Sequence, residues 1–84
     1  MKEFASVEWD RAKQALDSAR RLVEHDPNSA ASRAYYAAFH ALTALFALRG
    51  QTFSKHSSLR AALHRDLVKP GLLPTTCGNN FDLL

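Results

Sequence analysis

The sequence has almost nothing with which to staple itself together. One cysteine, Cys77, among 84 residues excludes an internal disulfide framework and any cysteine-rich metal pattern. No long apolar run is present either. The most apolar stretch, residues 34–48, is interrupted by His40 and Thr43 and is too short and too polar for a membrane span. The opening MKEFASVEWDR carries charges where an export signal needs an apolar core, so a cytoplasmic location is expected. Glycine and proline are scarce, three of each, and there is neither an internal repeat nor a low-complexity tract.

What is present fits a small globular chain. Apolar residues make up 46%, an ordinary share for a folded domain, and the length allows one domain at most. A core of this size is marginal by itself, which makes a partner subunit an attractive source of further burial. The net charge of +3 is unevenly placed. Between Arg49 and Gly71, the cations Arg49, Lys55, Arg60, Arg65 and Lys69 face Asp66 alone, with His56 and His64 in the same segment. Such a face points weakly to phosphate or an acidic partner, and a solvated helix face accounts for it as well.

Three helices are predicted. The first spans about Ser6 to Glu24, because Ala5, Trp9, Ala12, Leu16, Ala19 and Val23 recur at alternating four- and three-residue steps. Ser6 is a plausible cap, Glu8 and Asp10 suit the positive first turn, and Asp17 and Arg21 can pair on the wet side. Pro27 breaks this helix and suits the first turn of the next, with Asp26 or Asn28 as cap. The second helix runs to about Arg49 and stops at Gly50. Two apolar stripes, Ala31, Tyr35, Ala38, Leu42, Leu45 and Ala34, Ala41, Leu48, with Phe39 and Phe46 beside the first, make it the central helix. The third spans roughly Lys55 to Lys69, capped by Ser54, with Leu59, Ala62, Leu63 and Leu67 inward, and ends before Pro70 and Gly71. The last ten residues, TTCGNNFDLL, show no helical period and read as an irregular tail, residues 75–84 behind a helical domain of residues 1–74.

The central helix carries its polar groups in one line. Arg33 and His40 are seven residues apart, about 20° around the helix and about 10 Å along it. Tyr36 stands between them and Thr43 continues the row. An arginine fork holds phosphate in two-pronged fashion, and a histidine moves protons near neutral pH. The pair has the chemistry to cleave RNA without a metal, the histidine assisting attack of a 2′-hydroxyl and the arginine stabilising the developing charge. On geometry alone, the two residues could equally edge a surface groove or hydrogen-bond within a bundle. No zinc spacing, glycine-rich phosphate loop, paired carboxylate or other triad competes; His56, Arg60 and His64 align at four-residue steps but make a poor metal set, and no cofactor or metal is expected.

At these residues the chain resembles the HEPN family, the higher eukaryotes and prokaryotes nucleotide-binding domains. It is most similar to a small prokaryotic branch often found beside minimal nucleotidyltransferases. The resemblance rests on SAASRAYYAAFHALTALFALRG, residues 29–50, and FSKHSSLRAALHRDLVKPGLLP, residues 53–74, about half the chain. It implies an all-α up-and-down bundle and a homodimer. It implies further a metal-independent RNase motif of Arg, six residues and His, so that Arg33 would bind the scissile phosphate and His40 would transfer the proton. Tyr36 and Thr43, with Lys55, His56 and Arg60, are candidate supporting or RNA-binding residues. Paired members act as toxins with the nucleotidyltransferase as antitoxin.

Two departures shape the remaining expectations. Ala34 follows Arg33 where active members carry a polar residue, and residues 75–84 stand where the family continues into a further long helix. The chain is therefore expected to be an incomplete version of a four- or five-helix bundle. A missing helix would leave an apolar groove along helices one and two for the tail or a second chain to cover. Three functional readings follow: a toxin-type RNA-cleaving or RNA-binding module, a non-catalytic helical interaction module, and an inactive truncated fragment.

Overall fold

The computed structural model describes residues 2–82, and among them four helices and no strand. The chain divides between Thr52 and Phe53 into two compact units.

The first unit is a helical hairpin of α1, Lys2–Leu22, and α2, Pro27–Leu48. Its turn is written locally. Asp26 caps α2, its carboxylate accepting from the Ser29 amide at 3.2 Å and the Ser29 hydroxyl at 2.6 Å, while Pro27 sits in the first turn, where no amide hydrogen is needed. At the other end Gly50 adopts φ +79°. Its amide donates to the Ala47 carbonyl and that of Gln51 to the Phe46 carbonyl, a paired closure that satisfies the last carbonyls of α2. On the wet side of α1, Arg21 pairs with Asp17 at 2.9 Å.

The seam of the hairpin is built from alanine. Ala5, Ala12 and Ala19 recur every seven residues on α1 and all are buried. Ala30 and Ala44 are buried on α2, with Ala37 half-buried between them. Ala5 and Ala44 edge one depression and Ala19 and Ala30 another, so the helices run antiparallel. Small side chains allow the two backbones to approach closely, and the larger members of the predicted α1 stripe are left outside: Trp9 is 51% exposed, and Leu16 and Val23 are exposed as well.

The start of α1 also differs from expectation. It begins at Lys2, so Ser6 lies inside the helix and caps nothing, Glu3 is the acid of the first turn, and Glu8 is buried. Ser6 shares its sequence features with a true cap, but the helix extends a turn beyond it.

The second unit holds α3, His56–Leu63, a π-helical turn, His64–Val68, and α4, Thr75–Asp82. Lys55 rather than Ser54 stands at the start of α3, without a side-chain capping bond. Leu59, Ala62, Leu63 and Leu67 are buried, as the periodicity predicted. The π turn widens the end of α3, with the Lys69 amide reaching back five residues to the His64 carbonyl. Gly71, at φ +85°, reverses the chain after it.

α4 corrects the reading of residues 75–82 as part of an irregular tail and of the bundle as an incomplete one of three helices, while residues 83–84 of that tail lie outside the described residues. A helix of Thr, Gly and two Asn has poor intrinsic propensity. Contacts with α3 and the π turn hold it instead. Phe81 is buried, its ring stacked on His56 at 4.8 Å and 5°. The Asp82 carboxylate accepts from His64 Nε2 at 3.0 Å through both oxygens. Gly78 lets His64 lie against the backbone, since a β-carbon there would fall 2.5 Å from His64 Cε1.

Candidate active site

The face of α2 that carries Arg33, Tyr36 and His40 opens into a depression of ≈ 500 Å³. Arg11, Gln14, Ala15 and Ser18 of α1 form its other wall. Helical spacing explains both sides, since residues three, four and seven apart share a face. Two guanidinium groups thus border one hollow, and Tyr36, 50% exposed, offers a ring face within it. Tyr35 supports that ring at a centroid distance of 5.3 Å.

His40 is held from behind. Its Nδ1 meets Oε2 of Glu8, whose side chain is only 7% exposed, and Arg11 Nη1 donates to the other Glu8 oxygen at 3.2 Å. Phe39 meets the His40 ring edge-on at 5.9 Å. Both Glu8 oxygens therefore accept, and a buried carboxylate acquires two cationic or polar partners. A charged group placed at this seam would be costly without them.

Thr43 belongs elsewhere. It is buried, and its hydroxyl donates to the Phe39 carbonyl at 2.8 Å within the same helix. Burial rises along α2 towards Ala44, Phe46 and Ala47, so a face that is wet at Tyr36 is dry at Thr43. Lys55, His56 and Arg60 belong to the second unit. Lys55 begins α3, His56 stacks on Phe81, and Arg60 Nε lies 3.9 Å from Asp82 Oδ1. Among the described residues no three His, Cys, Asp or Glu side chains converge as metal ligands.

Arg11, Gln14 and Ser18, which edge the depression, and Glu8, which meets His40, are candidate-site residues that the sequence reading does not single out. The Ser29 hydroxyl and amide hold the Asp26 carboxyl below its usual range, and the bond to Asp66, then its charge, raises the Arg65 guanidinium.

The model of the HEPN domain matches residues 5–84. The chain belongs to the HEPN family. That match takes in α4 as well as the blocks around Arg33 and His40. The chain is also similar to a UPF0332 protein of Thermotoga maritima, 38% identical over 73 residues, covering 86% of this chain and 55% of that protein. The chain thus spans about half the length of this relative. No solved structure matches it. No helix among the described residues is long and apolar enough to cross a membrane.

Proposed function

We propose that this HEPN chain binds and cleaves single-stranded RNA without a metal, as the toxin-type component of a cytoplasmic pair with a nucleotidyltransferase, and that it works as a homodimer. The observation that carries this reading is the shared depression of Arg33, Tyr36 and His40, with Arg11 opposite.

The chemistry follows from the groups present. Arg33 grips the scissile phosphate, and a base stacks on Tyr36. His40 Nε2 takes the proton of the 2′-hydroxyl as the 2′-oxygen attacks phosphorus. A bond from phosphorus to the 2′-oxygen forms and the bond to the 5′-oxygen breaks. The proton passes to the 5′-oxygen, leaving a 2′,3′-cyclic phosphate and a 5′-hydroxyl. Arg33, joined by Arg11, stabilises the charge on the non-bridging oxygens.

The test is cleavage of a short single-stranded RNA in EDTA by wild type, Arg33→Ala, His40→Ala and His40→Gln, with folding checked by circular dichroism. Arg33 is exposed, so its variant is expected to fold normally. Loss of cleavage by about 10²-fold or more in a folded variant supports the reading. Equal cleavage by all four samples, or none by a folded wild type, overturns it.

A second reading has an observation of its own. An apolar depression of ≈ 400 Å³ lies on the first unit, edged by Trp9, Ala41, Ala44, Leu45 and Leu48. A non-catalytic interaction module would use such a face.

A further inference from the structure

We propose that Glu8 is a positioning residue for His40. From the alanine seam it fixes the imidazole as the tautomer with hydrogen on Nδ1 and turns a bare Nε2 towards the depression. The inference deepens the RNA-cleavage reading and rests on it for its catalytic consequence, though not for its geometry.

Ala5, Glu8 and Ala12 follow one another at three- and four-residue steps on the inner face of α1, and all three are buried. A carboxylate in that row breaks the pattern that packs the hairpin. An alanine there would avoid burying a charge altogether. Its two partners say what it does. Arg11 occupies one oxygen and His40 Nδ1 the other.

A carboxylate carries no hydrogen to donate, so the ring nitrogen must supply it. The second ring nitrogen is then the one left to accept a proton, and His40 is among the residues that edge the depression with Arg33 and Tyr36. Arg11 holds the carboxylate still while remaining 59% exposed at the mouth of the hollow. The arrangement has the logic of any carboxylate–histidine pair: the acid sets tautomer and ring orientation, and it steadies the imidazolium that forms when the proton is taken. Because the acid comes from α1 and the base from α2, the register of the hairpin becomes part of the site.

The experiment combines a spectroscopic and a kinetic readout on wild type, Glu8→Gln and Glu8→Asp. Long-range proton–nitrogen correlation spectra of labelled protein, at a pH where imidazole is neutral, report which ring nitrogen of His40 carries hydrogen. Wild type is expected to show hydrogen on Nδ1. Glu8→Gln, similar in shape but uncharged, should lose that preference, and Glu8→Asp should retain it in part. Single-turnover cleavage should fall about 10²-fold in Glu8→Gln. Binding of a 2′-deoxy analogue, which cannot be cleaved, should stay the same. Hydrogen on Nε2 in wild type, or a Glu8→Gln variant with unchanged tautomer and rate, overturns the proposal. A Glu8-dependent tautomer in a folded wild type that cleaves nothing upholds the positioning role and defeats the RNA-cleavage reading instead.

Discussion

Asp26 shows how one side chain writes a pH dependence into the fold. Its carboxyl lies below its ordinary value of 3.8 because the Ser29 hydroxyl, and then the Ser29 amide, donate to the charged form. Unfolding removes both donors. The cap therefore contributes its full stability above about 3.8 and loses it as pH falls through the lower, folded-state value. Asp26→Ala should lower the thermal midpoint at neutral pH, and its difference from wild type should shrink and vanish in strong acid. A difference independent of pH would show that the charged carboxylate is not what caps α2. Among the residues of the candidate site, the shared face of Arg33, Tyr36 and His40 is legible in the sequence because one helix carries all three, and helical spacing alone places them. Glu8 is not, although a signal exists: it interrupts the buried row of Ala5 and Ala12. Nothing local says that it meets His40, because that depends on the register of two helices.

At the scale of the element, α4 tests how far tertiary contact overrides propensity. Alanine is favoured over glycine in a helix by about 1 kcal/mol. At position 78 the added methyl group would collide with the His64 ring, and overpacking costs about 1–3 kcal/mol. Gly78→Ala is expected to destabilise the protein in denaturant titration. In a His64→Ala background the same change should turn neutral or stabilising, a coupling that a double-mutant cycle would read. Additive effects would mean that the ring does not depend on Gly78. The seam of α1 and α2 makes a similar demand. Ala12→Leu should destabilise by about 1–3 kcal/mol, since the close approach leaves no room for three further carbons. A thermal midpoint equal to that of wild type would count against a tight alanine seam.

At the scale of the whole molecule, charge and apolar surface make different forecasts. If Arg33 contacts one phosphate of single-stranded RNA, Arg33→Ala should make the plot of log affinity against log salt shallower by about 0.7. An unchanged slope would remove Arg33 from the RNA contact. Leu48, at 63% exposure, edges the apolar depression. Leu48→Ser should shift stability by no more than about 0.5 kcal/mol. Sedimentation equilibrium should show weaker self-association if this face is an interface. Unaltered association would leave the homodimer to another surface.

Local chemistry along the chain accounts for one part of this structure. Proline, aspartate and glycine set the limits of α2, periodicity marked the buried leucines of α3, and seven-residue spacing placed Arg33 and His40 on one face. These outcomes depend on a few neighbouring residues and a fixed helical pitch. The other part comes from packing between helices. It brought Glu8 and Arg11 to His40, turned Thr43 inward, left Trp9 outside, and made a helix of a segment with little propensity for one. Each of these depends on which distant side chain arrives at contact distance, and burial, backbone approach and hydrogen-bond pairing are properties of the assembled helices rather than of any one of them.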